Sequence, residues 1–360
     1  MSIALPDASM TTASKLVVTQ PDVESLREPL LALWARNLPG ASPERFDWLY
    51  GSGRSQAWLL QEQDGGVIGS AGWTQRRMAI AGQIAEAGVA IDLNVDEQKR
   101  SLGPALALVR EVAASAERDG MSLTYAIPIR PAVSVMKLAR YRSIGELSNW
   151  TKVLRTEFKL RHLLRSRWAA RLAAPFADVA WRLFDPARRT PLPANVAVES
   201  VSTFDERFDR LWLSTIHRFA VIGERTADFL TWRFLQCPEY GHQIFTLVNR
   251  ESHELLGYVV WHVSDDAVSI ADLLAVDNAT TTLLLAEFNR MVRETRATAI
   301  RLSCFASSEF YQTLQAAGFS RRADGLPVLV KTSGDNSAAM TDAQHGHNWY
   351  LTMADHDVDE

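Results

Sequence analysis

Cysteine is scarce in this chain, with only Cys237 and Cys304 among 360 residues. Two thiols without metal-ligand spacing make neither a disulfide framework nor a zinc site, and they point to a reducing compartment, the cytoplasm. His217, His242, His253 and His262 are scattered without ligand spacing, and His345 and His347 lie near the end, so no metal is expected. There is no basic surplus: the formal net charge is −4, which argues against a nucleic-acid partner. No run of about 18 or more apolar residues occurs, so nothing is expected to span a membrane. The opening stretch from Met1 to Asp7 lacks the basic and apolar regions of a secretory signal, so none is expected. Neither a phosphate-binding G-x-x-x-x-G-K-[ST] loop nor the G-x-G-x-x-G dinucleotide fingerprint is present. What remains is a chain of 47% hydrophobic and 22% charged residues, a soluble globular composition long enough for two domains.

The most informative stretch runs from Val95 to Leu106. A strand-like run from Gly88 to Val95 leads into it, and a helix-like run from Ala105 to Ala116 leaves it. Arg100, Gly103 and Ala105 fit R-x-x-G-x-[G/A] at this strand-to-helix turn. Such a turn leaves backbone N–H groups unpaired at a helix N-terminus, where phosphate binds readily, and small residues allow close approach. Strands are predicted over 56–62, 67–80 and 83–95, then 123–127 after the helix. A helix over 132–140 and a final strand pair through 147–154 complete the order β-β-β-α-β-α-β.

That order around an R-x-x-G-x-A turn resembles the GNAT acyltransferase superfamily, and the turn resembles its acyl-CoA pyrophosphate loop. The resemblance implies a mixed α/β fold that takes acetyl-CoA or another acyl-CoA. The CoA would be held by Arg100, Ser101, Leu102, Gly103, Pro104 and Ala105, and the backbone of Leu93 and Val95 would pair with the pantetheine arm. Acyl transfer then needs placement of the acceptor and a group to take its proton. Glu86 and Asp92 are the candidate bases. They lie six apart on one predicted strand, so alternation puts both on the same face; the alternative is a solvated or ion-paired strand carboxylate. Many GNAT enzymes use a tyrosine as acid toward the thiolate, but Tyr141 and Tyr125 read here as packing residues.

Organisation along the chain is predicted as a flexible tail (1–14), a GNAT domain with the acyl-CoA loop (15–154), a basic helical linker (155–193), a second GNAT-like domain (194–333) and a C-terminal tail (334–360). The linker carries nine arginines and lysines against three acidic residues. It offers either peripheral contact with an anionic membrane face or arginine stems that cover apolar surface. The second domain repeats the strand pattern, and Asp272 to Asp277 echoes Asp92 to Asp96. Its turn, Asp277 to Thr282, has neither Arg nor Gly, so no acyl-CoA is expected there.

The run Glu224 to Tyr240 resembles a segment of two-domain GNAT proteins associated with bacterial surface polysaccharide pathways. Arg225, Trp232 and Arg233 are its candidate acceptor-binding residues; core packing and ion pairing are the alternative. The resulting expectation is a cytoplasmic acyltransferase acting on an amine or hydroxyl of a small molecule or sugar. A non-catalytic acyl-CoA sensor or scaffold is one rival. An aminoacyl transferase of the tandem fold is another, disfavoured because transfer RNA wants a broad basic surface.

Overall fold

A computed structural model describes residues 16–38, 40–155, 185, 189–334, 343 and 345–356. The expected tail over 1–14 and most of the basic linker lie outside the described residues.

The first half contains β1 (Val17–Thr19), α1 (Val23–Asn37), α2 (Pro43–Leu49), β2 (Ser55–Gln61), β3 (Val67–Ile80), β4 (Gln83–Val95), α3 (Leu102–Arg118), β5 (Leu123–Ala126), α4 (Val133–Leu138) and β6 (Arg142–Val153). Local chemistry sets the starts of its helices. The Asp22 carboxylate accepts from the Ser25 N–H (2.8 Å) to open α1. Ser42 caps α2, with Pro43 at the first helical position, where its missing N–H costs nothing. α3 buries Leu108, Val109, Val112, Ala113 and Ala116, one stripe at helical spacing.

The second half contains β7 (Val196–Val201), α5 (Glu206–Thr215), β8 (Val221–Gly223) and α6 (Ala227–Leu230), which runs into a π turn at Thr231–Leu235. Then come β9 (Gln243–Asn249), β10 (Leu255–Ser264), β11 (Ala267–Ala275), α7 (Asn278–Glu294), β12 (Ala299–Cys304), α8 (Ser308–Ala316), β13 (Ser320–Arg321), β14 (Leu326–Thr332) and β15 (Trp349–Tyr350). All nine residues of β11 are buried, as expected for a central strand covered on both faces.

The two halves share one sheet, in the order β1-β2-β3-β4-β5-β14-β6-β12-β11-β10-β9-β7. β14, from the second half, lies between β5 and β6 of the first. β6, from the first half, pairs with β12 and β13 of the second. The final strand pair expected around 147–154 is therefore β6 with partners supplied from beyond residue 298. β6, which ends at Val153, is a strand on which both halves depend. β8 adds a further tie, pairing with the far end of β3 at Met78–Ile80.

Within the C-terminal tail (334–360), residues 345–356 are packed onto the fold. β15 pairs with β8, and Trp349, Tyr350, Leu351 and Ala354 are at most 1% exposed. An aromatic and aliphatic stretch of this kind is stabilised by burial, and the polar residues around it in the sequence obscured that.

Candidate active site

β4 and β5 pair in parallel only over Ala87–Val89 and Leu123–Tyr125. Beyond that the strands separate, and among the described residues no strand pairs with this edge of β4 from Ala90 onward. A cavity of about 430 Å³ occupies the opening. Ala90, Ala126 and Met136 line the part toward α3 and α4, while Arg45, Asp92, Glu239 and His356 line the polar part. The Asp96 N–H donates to the Ile68 carbonyl of the β3 side (2.8 Å). Strand alternation then aims the main-chain groups of Leu93 and Val95 toward the free edge. Leu93 lines the cavity.

Asp92 sits at a bulge. The β3–β4 register jumps between Ser70↔Asn94 and Gly72↔Ile91, so β4 carries one extra residue there, and Asp92 has φ +50°. A bulge breaks alternation and re-aims a side chain. Asp92 consequently turns toward α2. Its Oδ2 accepts from the Tyr50 hydroxyl (2.6 Å), and its Oδ1 lies 3.4 Å from the Arg45 guanidinium. Arg45 also reaches Glu239 at 2.8 Å. Glu86, before the bulge, accepts from the Gln75 amide (2.9 Å) at an exposed position. The expectation that Glu86 and Asp92 share a face is thus corrected: the bulge separates them, and only Asp92 reaches the cavity.

The loop after β4 leads into α3 through a short turn, Glu97–Lys99. Ser101 is extended and makes no capping side-chain bond to α3. The first-turn N–H groups of Leu102, Gly103 and Ala105 therefore have no side-chain cap, and Pro104 has none to offer. A Cβ built on Gly103 meets nothing within 4 Å. Arg100 folds back on the Val95 carbonyl at 3.3–3.4 Å. Asp96, the nearest carboxylate in sequence, is drawn away by Arg36 (3.1 Å) and Asn37 (3.1 Å). An uncapped, open helix start beside a cleft fits the pyrophosphate and arm of an acyl-CoA.

The corresponding place in the second half is closed. Its N-cap, Asp277, accepts from the Thr280 N–H (2.7 Å), and this bond holds its carboxyl below the usual range. That carboxylate occupies the donors an anion would use and repels one. β11 and β12 also separate, after Ile270 and Leu302. There the chain's own end fills the gap. Leu351 exchanges backbone bonds with Phe305 (2.8 and 2.9 Å), Tyr350 donates to the Leu273 carbonyl, and Thr352 donates to Asp272 (2.6 Å). Asp272 is held by the Tyr258 hydroxyl (2.6 Å), as Asp92 is held by Tyr50.

The expected acceptor residues lie elsewhere, in the core. Arg225 is fully buried, with Nε 2.9 Å from Asp272 and a terminal nitrogen 2.6 Å from Asp355. Arg233, also fully buried, donates to the Met353 carbonyl (2.8 Å). Trp232 stacks on Trp48 with ring centroids 4.9 Å apart, and the Trp48 indole N–H donates to the Trp232 carbonyl (2.8 Å). None of the three lines the cavity. They join α6 and its π turn to α2 and to the C-terminal segment. Tyr141 is a packing residue: burial pushes its hydroxyl up to about 12, and it accepts from Thr124 (3.0 Å). The Tyr125 hydroxyl, also raised by burial, donates to the Asp355 carbonyl (2.9 Å). Among the described residues no cluster of His, Cys, Asp and Glu could hold a metal. No described helix is long and apolar enough to cross a membrane.

Sequence reasoning missed Arg45, Tyr50, Glu239 and His356. Their meeting depends on contacts between residues more than 40 apart in the chain, for which a single sequence carries no signal.

No family model and no curated protein matches this sequence. Solved structures do. A conserved protein of unknown function from Enterococcus faecalis V583, described as a probable N-acyltransferase, superposes with a TM-score of 0.63 at 13% identity, over 89% of this chain and 72% of that one. A GCN5-related N-acetyltransferase from Kribbella flavida gives 0.60 at 15% identity, over 90% and 72%. A tandem GNAT protein from the clavulanic acid biosynthesis pathway gives 0.50 at 15% identity, over 90% of this chain and all of that one. Identities this low speak to architecture alone, and at that level the chain has the two-domain GNAT fold.

Proposed function

We propose that the chain is an acyl-CoA-dependent acyltransferase with one active site, in its first half. One observation carries this reading. The first half keeps both an uncapped helix start and an open cleft between β4 and β5, whereas the second half has closed both with its own residues.

Acyl-CoA, when bound, supplies an activated thioester. The α3 turn from Arg100 to Ala105 provides N–H donors and room for the phosphates. The free-edge main chain of Leu93 and Val95 provides donors and acceptors for an amide-bearing arm, and one such N–H can polarise the thioester carbonyl. Asp92, fixed by Tyr50 and Arg45, takes the acceptor's proton directly or through a water. The separated strands hold the acceptor against the thioester, and much of the rate comes from that placement.

Asp92 and Glu239 at the polar end suit a basic amine better than a neutral hydroxyl. The resemblance of the 224–240 run keeps an amino sugar of a surface-glycan route as the first acceptor to try. The core roles of Arg225, Trp232 and Arg233 mean that they would shape the site from behind.

Turnover of acetyl-CoA against a panel of amines and amino sugars tests the reading. Asp92→Asn should lose about 10²–10⁴ in rate while keeping acetyl-CoA affinity. Glu86→Gln should stay near wild type. Loss in Glu86→Gln with normal Asp92→Asn would move the base to the other face of β4. Binding of acetyl-CoA without turnover on any acceptor would favour a sensor.

A further inference from the structure

A second groove, of about 540 Å³, opens between α3 and α4 over β14. Among the described residues its charged lining is mostly cationic: Arg110 from α3, Arg140 and Arg142 from the end of α4 and the start of β6, and Lys331 from β14, with one carboxylate, Glu117. In a chain of net charge −4 this is a local arrangement rather than a general basic character. Glu117 lies 3.9 Å from Lys331, too far to be a tight pair. A concave, cation-lined wall focuses positive potential into the space it encloses.

Arg140 carries a second, independent signal. α4 ends in a Schellman turn: the Arg140 N–H donates to the Lys137 carbonyl (3.0 Å) and the Tyr141 N–H to the Met136 carbonyl (3.1 Å). Tyr141 and Met136 also meet in one apolar cluster, the usual companion of this turn. The residue at the left-handed position of such a turn is ordinarily glycine. Here it is arginine, at φ +71°. A residue with a Cβ is strained there, and strain retained where a side chain enters a cavity marks a functional position.

The groove is separate from the acyl-CoA site. Arg110 lies eight residues into the chain from the first residue of α3, roughly 12 Å along the axis. Lys331 and Thr332 pair with Thr124 and Leu123, at the beginning of β5, whereas the cleft opens past its other end, at Ala126 and Ile127.

We propose that this groove is a second ligand site, for a small multiply charged phosphate, of the pyrophosphate or phosphate-ester class. Planar guanidinium groups match the oxygens of such anions in paired hydrogen bonds. An anion there would bridge α3, which carries the acyl-CoA turn at its far end, to β14 from the second half.

Calorimetric titration with sodium pyrophosphate tests this in a Gly103→Glu background, which removes the α3 turn as a competing phosphate site. The Gly103→Glu protein should bind pyrophosphate once per chain. Adding Arg110→Ala and Arg140→Gly should weaken that binding at least about tenfold. The melting temperature without pyrophosphate should hold or rise on Arg140→Gly alone, because glycine relieves the left-handed strain. A merely structural arginine would not give lower affinity together with equal or greater stability. No binding to Gly103→Glu at millimolar pyrophosphate, or equal binding after the arginines are removed, would overturn the proposal.

Discussion

Arg225 is fully buried between Asp272 and Asp355, with Thr352 3.3 Å from one terminal nitrogen. The two carboxylates come from β11 and from the C-terminal segment, so one cation holds the chain's end in the second cleft. Removing one partner of a buried ionic group leaves the others uncompensated. Arg225→Met should therefore cost about 3–5 kcal/mol, read from urea unfolding. A loss within the scatter of ordinary surface substitutions would mean that the segment is held by its apolar side chains alone. The sequence offers Asp92 as a candidate base from its place before the turn. Its direction is not readable there, because the bulge and positive φ that re-aim it are set by pairing with β3.

Among the elements, α3 and α7 occupy equivalent places and differ at their first turns. α3 starts uncapped behind Ser101; α7 starts capped by Asp277. In sequence the two turns differ by the missing Arg and Gly at 277–282, and the Asp277 cap adds a reason that motif comparison lacks. It also has a pH signature. The Thr280 N–H lowers the folded-state pKa of Asp277 below the ordinary aspartate value. The cap's contribution is thus complete above that value and is lost as pH falls through the lower folded value. Asp277→Asn keeps a capping oxygen without the titration. Its melting temperature should fall less steeply than that of wild type as pH drops below about 4. Parallel curves would show that the cap adds nothing to acid stability. β5 and β14 illustrate what periodicity misses. β5 reads as a strand, β14 was not singled out, and nothing local tells that the two are neighbours across some 200 residues.

For the whole molecule, the order of elements from β2 to β6 and the repeat of the fold were legible because hydrophobic alternation, turn residues and helix starts are local. The exchange of β6 and β14 between halves was not, and neither was the return of residues 349–356 into the second cleft. These are long-range choices decided by which pairing buries more surface and leaves fewer edges open. They turn two similar halves into unequal ones. One retains an open cleft behind a bare helix start. The other spends the same geometry on anchoring the chain's end. The central claim, one acyl-CoA site per chain at the α3 turn, is tested most directly by calorimetric titration of the full-length protein with acetyl-CoA. The wild type should take up a single equivalent. Gly103→Glu, whose new side chain points into open space in the protein alone, should stay folded and bind at least about tenfold more weakly. Two equivalents per chain, or unchanged affinity in a folded Gly103→Glu variant, would contradict the account.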